Sequence, residues 1–320
     1  MIEFRIDADN AGQRLDKFLR KALPQVPVSH LFKMIRTKKV RVNGKRAQPD
    51  QALQAGDALS IRGDQRQLLG PQPGGRRPPP PPPPLDPKKL QILYEDDWMM
   101  AVDKPSGMAV HPGSGITSGT LVDYVRAYLG PKAERNGFSA SPAHRLDRET
   151  SGVILVAKRR PAMVHFTEVF THQHPRKRYL ALVKGRMPKD HGVVDLPLSE
   201  HQQTAESRAR RGVNMQEAVT RWRVVRQSGD AALLECLIET GRTHQIRRHL
   251  AAIGHPVAGD RKYGDFSFNR EVRSRWGLKR LFLHARGIDF PHPEHGRKMS
   301  VEAGLPLELA EVLRSAAMDL

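Results

Sequence analysis

The chain has 320 residues, 38% of them hydrophobic and 27% charged, a composition that predicts about two folded domains rather than a disordered chain. It contains no run of 18 apolar residues, and its first residues, MIEFRIDADN, have the character of neither a secretory signal nor a transit peptide. We therefore expect a cytoplasmic protein without a membrane segment. The single cysteine, Cys236, excludes an internal disulfide and a cysteine-based zinc site, and it lies in an apolar stretch typical of a core.

The charge is strongly positive. Lys and Arg number 53 against 34 Asp and Glu, which gives a net charge of +19 and an isoelectric point near 10.4. An excess of this size attracts polyanions, so nucleic acid is the favoured partner. A well-solvated basic surface is the alternative, and charge alone does not decide between them.

Residues 1–63 carry 13 Lys and Arg against 6 Asp and Glu. Apolar spacing predicts a helix over 15–23 and a second one that starts at an N-cap, Ser29, and buries Leu31, Phe32 and Ile35. Short strands are expected over 40–42 and 59–61, with a turn at Asn43-Gly44. The basic side chains that we expect to contact RNA phosphates here are Lys33, Arg36, Lys38, Lys39 and Arg41.

This segment resembles the RNA-binding module named after ribosomal protein S4. The resemblance is carried by GQRLDKFL (12–19), SHLFKMIRTKKVRVNGKR (29–46) and AGDALSI (55–61). It implies a small α/β RNA-binding domain over 1–63, and an ordinary basic helical hairpin is the alternative.

Residues 64–90 read as a linker. They include seven consecutive prolines, 78–84, which form neither a helix nor a central strand and favour an extended polyproline II rod. We expect a semi-rigid spacer of roughly 20 Å.

Residues 91–320 alternate short strands with a few helices. Strands are predicted over 92–94, 99–102, 153–157, 179–183, 220–225, 231–238 and 281–284. Helices are predicted over 121–129, 161–170, 244–253 and 307–316. Several strands follow one another without intervening helices, so we expect an α+β domain on a mainly antiparallel or mixed sheet.

Two charged stretches carry candidate chemistry. In HRLDRETSGVILVAK (144–158), Asp147 stands between Arg145 and Arg148, and nearby positive charge favours an ionised carboxylate. A surface ion-pair cluster is the alternative. In TGRTHQIRRHL (240–250), three arginines could hold phosphates or pair with a buried carboxylate: Arg242, Arg247 and Arg248.

Metal and nucleotide cofactors are not indicated. His244 and His249 are five residues apart, which places them on different helix faces, and no HExxH-like spacing occurs. The loop DKPSGMAVHPGSG (103–115) lacks the spacing of a phosphate-binding or dinucleotide-binding loop. Tyr179, in PRKRYLALVKG (175–185), is expected either to pack in the core or to present its ring to a nucleobase.

Together these stretches resemble the RluA family of RNA pseudouridine synthases. The motifs DKPSGMAVHP, HRLDRETSG, RKRYLALVKG, GRTHQIRRHL and RLFLHA occur in family order over about 91–300. With the S4-type module, the whole chain most resembles the RluC-type branch, which implies 23S (large-subunit) ribosomal RNA or its assembly precursors as substrate and partner. Transfer RNA as substrate, or a non-catalytic RNA-binding assembly factor, are the alternatives.

The resemblance also implies roles for residues. Asp147 would be the catalytic nucleophile, Tyr179 the active-site tyrosine and Arg247 the basic residue that pairs with the aspartate. Arg145 would enter the RNA helix where the flipped uridine leaves, and Arg148 and Arg242 would contact RNA. The reaction gains and loses no atom, so we expect neither a cofactor nor a metal. We also expect a monomer.

Overall fold

The computed structural model describes residues 1–24, 26–64, 68, 86, 90–113, 116–135, 137–199 and 215–319. The proline tract and most of the predicted 64–90 linker lie outside the described residues. The division into 1–63, 64–90 and 91–320 therefore stays a prediction.

The N-terminal part packs two helices on a small antiparallel sheet. The helices are α1 (Leu15–Ala22) and α2 (Val28–Arg36). The strands are β1 (Ile2–Arg5), β2 (Val40–Val42), β3 (Lys45–Arg46) and β4 (Ala58–Ile61), in the spatial order β1-β4-β2-β3. Their buried apolar side chains form one core, which also takes in Leu68.

Two details of α2 differ from the prediction. The helix starts at Val28, and its N-cap is Pro27, whose carbonyl accepts from the N–H of His30 and Leu31, so Ser29 lies inside the first turn. Phe32 is 38% exposed instead of buried. The helix turns its Leu31–Met34–Ile35 side inward, which leaves Phe32 on the outer side between the basic residues.

The larger part contains a mixed sheet. Its strands and those of two small hairpins are β5 (Gln91–Glu95), β6 (Met99–Lys104), β7 (Glu134–Arg135), β8 (Phe138–Ser139), β9 (Ser141–Pro142), β10 (Ser151–Ala157), β11 (Arg176–Lys184), β12 (His191–Asp195), β13 (Leu198–Ser199), β14 (Met215–Gln216), β15 (Val219–Ser228), β16 (Ala231–Ile238), β17 (Leu283–Pro291) and β18 (Lys298–Glu302). The main path is β12-β15-β16-β11-β17-β10-β6-β5, with β9 on β10 and β18 on β17. Only β10 and β17 pair in parallel among the described strands, so the expected mainly antiparallel α+β fold is confirmed.

Helices cover this sheet. They are α3 (Leu121–Leu129), α4 (Arg160–Glu168), α5 (Gln245–Ala252), α6 (Phe266–Trp276) and α7 (Leu307–Ser315). The sequence missed β12, β18 and α6, which buries only Phe268 and Val272 and so has a weak apolar pattern. The predicted strand over 281–284 is wrong in extent, because β17 starts at Leu283 and continues to Pro291.

The HRLD motif lies in the loop before β10, so the parallel pairing of β10 with β17 positions it. Strand β10 is buried along its whole length, and alternate residues enter two cores, Ile154 and Val156 in one, Val153 and Leu155 in the other. At its start, Gly152 has a φ of 117° and lies so close to β17 that a Cβ atom would overlap the backbone of Ala285. Glycine therefore lets the loop that carries Asp147 meet the centre of the sheet.

Candidate active site and RNA-binding groove

Three elements bring the predicted catalytic residues to one pocket. Asp147 lies in the loop before β10, Tyr179 on β11, and Arg247 in the first turn of α5. All three line the same cavity, and so do the predicted RNA-binding residues Arg145 and Arg242. The apolar part of the wall comes from Leu146, Ile238, Ile246 and Leu283.

The carboxylate of Asp147 pairs with a distant arginine rather than with its sequence neighbours. Its Oδ2 atom accepts a hydrogen bond from Nη1 of Arg247 at 3.1 Å. Arg148 instead donates from Nε to the carbonyl of Gly107, and its side chain is 62% exposed. The turn directs the side chain of Arg148 outward, so the cation that binds Asp147 is Arg247, as the family resemblance implied.

Arg247 is itself held by a buried carboxylate. Its Nε and Nη2 atoms donate to Oδ2 and Oδ1 of Asp260 at 2.7 and 2.9 Å, and the Asp260 side chain is fully buried. Oδ1 of Asp260 also accepts from the backbone N–H of Lys262 and Tyr263. Burial alone would raise the pKa of Asp260, but these hydrogen bonds outweigh burial and hold that pKa below its ordinary value.

The bidentate pair directs the third guanidinium nitrogen at Asp147, because the planar guanidinium has a fixed fork geometry. Sequence reasoning missed Asp260. Its signal was an acidic residue in a Gly-Asp turn, GDRKYGD, which follows α5 closely enough to fold back on it.

Tyr179 forms the floor of the pocket and is 7% exposed. Burial raises the pKa of its phenol above the usual range, and the negative charge of Asp147 raises it further. The hydroxyl is therefore protonated at neutral pH. Cys236, the neighbour of Tyr179 on β16, is completely buried in the core, as predicted.

Buried polar side chains hold the loops around the pocket. Lys104, fully buried, donates to three backbone carbonyls, those of Pro105, Met108 and Arg148. Gln245 of α5 accepts from the backbone N–H of Arg242 and donates to the carbonyl of Val219. These contacts explain why the DKPSG and GRTHQIR stretches need a lysine and a glutamine at those positions.

The cavity is smaller than a pyrimidine needs. Its volume is about 60 Å³, whereas a cavity that holds benzene in another protein measures about 150 Å³. Arg145 and Arg242 are exposed residues that line it, and Arg242 also donates from Nε to the carbonyl of Glu217. Arg248 does not line this cavity, and its guanidinium donates to the carbonyl and the hydroxyl of Ser199.

A second cavity lies on the N-terminal part, between α2 and the chain after β3. Its volume is about 420 Å³, and its lining residues are Ser29, Phe32, Lys33, Ile35, Arg36, Arg46, Ala47, Gln48 and Pro49. No acidic residue is among them. Of the predicted phosphate contacts, Lys33 and Arg36 belong to this groove, while Lys38, Lys39 and Arg41 are exposed beyond it.

The described residues contain neither a membrane-spanning helix nor a cluster of metal ligands. No helix there combines the length and apolar character needed to cross a bilayer. In the same residues, no three His, Cys, Asp or Glu side chains are grouped so that they could hold a metal ion.

Comparison with known proteins identifies the family. The family described as RNA pseudouridylate synthase matches residues 98–252, and the S4 domain matches residues 13–59. A protein named ribosomal large subunit pseudouridine synthase C from Salmonella typhi is 40% identical and aligns with 98% of this chain and 96% of its own length. The chain belongs to the RluA family of RNA pseudouridine synthases. The proteins of the same name from Escherichia coli K12 and Vibrio cholerae are 40% and 38% identical, and cover 97% and 96% of this pseudouridine synthase.

Solved structures agree with this assignment. The human protein titled RNA pseudouridylate synthase domain containing 4 has a TM-score of 0.60 at 26% identity, over 73% of this chain and 96% of the human chain. Human RNA pseudouridylate synthase domain containing 1 has a TM-score of 0.55 at 26% identity, over 70% and 86% of the two chains. The mixed sheet is thus the fold of an RNA pseudouridine synthase, and the S4 domain precedes it in the chain.

Proposed function

We propose that this pseudouridine synthase converts specific uridines of large-subunit (23S) ribosomal RNA to pseudouridine, with Asp147 as the nucleophile. The observation that carries the proposal is the carboxylate of Asp147, held by Arg247 in a basic pocket that Tyr179 also lines. The names of the relatives, which align over nearly the whole chain, support the choice of substrate.

The reaction breaks the bond between ribose carbon 1′ and uracil nitrogen 1, and joins carbon 1′ to uracil carbon 5. Asp147 forms and later releases a covalent bond to the nucleotide. Arg247 orients the carboxylate, and the buried Asp260 in turn holds Arg247 in place. The proton lost from carbon 5 is balanced by one gained at nitrogen 1, so we propose that neither cofactor nor metal takes part.

Tyr179 holds the detached uracil by stacking while the base rotates. Its raised pKa makes free phenolate rare, so the phenol acts as a proton acceptor only if it passes its own proton on. We assign that proton to the Asp147 carboxylate once it has been released from the nucleotide. Carbon 5 loses its proton to Tyr179 in the same step. Asp147 then passes a proton to uracil nitrogen 1, which regenerates the carboxylate.

The target uridine has to leave its stack, which costs a few kcal/mol. Arg145 is exposed beside the pocket, so its planar cation can enter the space that the uridine vacates. Arg148 and Arg242 contact the flanking phosphates. Movement of Arg145 and Arg242 widens the pocket for uracil.

The S4 domain supplies affinity for the rest of the RNA. Its exposed cations neutralise phosphates: Lys33, Arg36, Lys38, Lys39, Arg41 and, from the groove, Arg46. Phe32 adds an aromatic surface to that groove. We propose a monomer that acts in the cytoplasm, where it meets ribosomal RNA or its assembly precursors.

The test is a map of pseudouridine in ribosomal and transfer RNA from cells that lack the gene and carry it back as wild type, Asp147→Asn or Asp97→Asn. Asp97 is an exposed acid outside the pocket and serves as the matched control. We expect 23S sites restored by wild type and Asp97→Asn and not by Asp147→Asn. Restoration of transfer RNA sites only would contradict the substrate, and restoration by Asp147→Asn would contradict the nucleophile.

A further inference from the structure

One histidine in the pocket has no role in the proposal above. His244 lines the pocket, and its Nε2 atom lies 3.8 Å from Oδ1 of Asp147, the oxygen that Arg247 does not bind. On the other side of the ring, Nδ1 lies 2.9 Å from the hydroxyl oxygen of Tyr263. The imidazole therefore stands between a tyrosine hydroxyl and the carboxylate.

The charges around the ring determine its tautomer. A nitrogen lone pair that faced the ionised carboxylate would be repelled, so Nε2 carries the hydrogen and Nδ1 is the acceptor. Tyr263 then donates its hydroxyl hydrogen to Nδ1. Burial lowers the pKa of His244 below its ordinary value, which keeps the ring neutral at physiological pH.

The backbone at His244 is unusual. It adopts the left-handed conformation with φ of 54°, at the N-cap of α5, a conformation that is uncommon for any residue other than glycine. Its side chain makes no hydrogen bond to the helix as a cap would. Strained residues of this kind cluster at functional sites when neighbouring contacts stabilise them.

Tyr263 links this histidine to the clamp on Arg247, by which we mean the two hydrogen bonds that Arg247 donates to Asp260. Its ring lies 5.1 Å from the Arg247 guanidinium, and its backbone N–H donates to Asp260. The turn after α5 thus supplies partners to both groups that face Asp147. Oδ2 of Asp147 faces Arg247, which Asp260 holds, and Oδ1 faces His244, which Tyr263 holds.

We propose that His244, oriented by Tyr263, is a positioning residue that donates from Nε2 to Oδ1 of Asp147 and fixes the plane of the carboxylate for attack. The inference rests on the proposed role of Asp147. At 3.8 Å the contact is longer than a hydrogen bond, and we expect it to shorten when a uridine fills the pocket. The same donor stabilises the carboxylate as it leaves the nucleotide, because negative charge returns to its oxygens in that step.

The test compares two substitutions of His244 in the full-length enzyme. His244→Asn suits the left-handed backbone, but its amide is too short to reach Asp147. His244→Gln suits the backbone less, yet its amide nitrogen takes the place of Nε2 and still donates. A purely structural histidine predicts that Asn is the better replacement, whereas a donor to Asp147 predicts Gln.

The assay is single-turnover formation of pseudouridine in transcribed 23S ribosomal RNA, with RNA affinity and Tm measured for every variant. We expect His244→Asn to slow the reaction about 10- to 100-fold at unchanged RNA affinity, and His244→Gln to slow it by less than about 5-fold. Tyr263→Phe, which keeps the ring near Arg247, should slow it by an intermediate factor and add nothing in the His244→Asn background. The matched control is His174→Asn, an exposed histidine with φ of 47°.

The outcomes separate this inference from the proposed function. Turnover by Asp147→Asn would overturn both. If Asp147→Asn is inactive while His244→Asn and Tyr263→Phe react at the wild-type rate, only the role of His244 fails. A His244→Gln enzyme slower than His244→Asn would also overturn that role.

Discussion

Replacement of Asp260 by asparagine tests the buried clamp that orients Arg247. Asparagine keeps the shape and the oxygen that accepts from Nη2 of Arg247 and from two backbone N–H groups. It places an amide N–H where Oδ2 accepts from Nε of Arg247 at 2.7 Å. The variant therefore loses the negative charge and one hydrogen bond, and it sets two donors against each other.

The magnitude follows from the burial. Removal of one partner from a buried ion pair costs about 3–5 kcal/mol, and the three retained hydrogen bonds place Asp260→Asn at about 3 kcal/mol. That loss is roughly a 150-fold change in the ratio of folded to unfolded chain, or a fall in Tm of roughly 6–12 °C. Pseudouridine formation should slow as well, since Arg247 is no longer directed at Asp147.

The assay is urea unfolding followed by tryptophan fluorescence, because Trp98, Trp222 and Trp276 all lie after residue 90. The matched control is Asp265→Asn. The carboxylate of Asp265 is 29% exposed, pairs with Lys184 and caps the N-terminus of α6, where asparagine is also a good cap. The control should therefore lose no more than about 1 kcal/mol of unfolding free energy.

The pH dependence has a definite sign. The folded-state pKa of Asp260 is lowered, so its stabilisation is complete above the ordinary aspartate pKa of about 3.9 and is lost as pH falls through the folded-state value. The stability gap between wild type and Asp260→Asn should narrow at acid pH. A variant within about 0.5 kcal/mol of wild type at pH 7 would refute the reasoning about the clamp.

Three further predictions concern groups around the pocket. Gly152→Ala should prevent stable folding, because its Cβ overlaps the backbone of Ala285, and soluble protein with wild-type Tm would contradict this. Lys104→Met should lose about 2–4 kcal/mol, because three carbonyls lose their donor. Burial lowers the pKa of Lys104 to about 7, so above that pH the unfolded wild-type chain binds more protons than the folded one, and wild-type stability rises with pH. The difference in unfolding free energy between wild type and Lys104→Met, measured by urea unfolding, should therefore widen from pH 7 to 9. Tyr179→Phe should bind RNA normally but slow pseudouridine formation, since the ring stays and the proton-accepting hydroxyl is lost; an unchanged single-turnover rate would restrict Tyr179 to stacking.

Much of the fold was predictable because its signals are local. The continuous apolar run of β10 and the helical spacing of α1 locate these elements within a residue or two. The start of α2 and the exposure of Phe32 were not predictable in the same way. They depend on which side of the helix meets β1, β2 and β4, and a nine-residue helix with apolar residues on several sides leaves that choice open.

Sequence motifs were enough to identify the family and the candidate residues Asp147, Tyr179 and Arg247, because each residue stands in a motif of fixed local spacing. The resemblance also implied the pairing of Arg247 with Asp147, whereas the other contacts of these residues emerged only from the fold. Arg247 reaches Asp147 across 100 positions of chain, and its second partner, Asp260, belongs to no stretch singled out beforehand. These pairings depend on how helix α5 packs on β15, because that packing buries Arg247 and brings it to acidic partners far away in the sequence. Arg148, a sequence neighbour of Asp147, is turned to solvent instead.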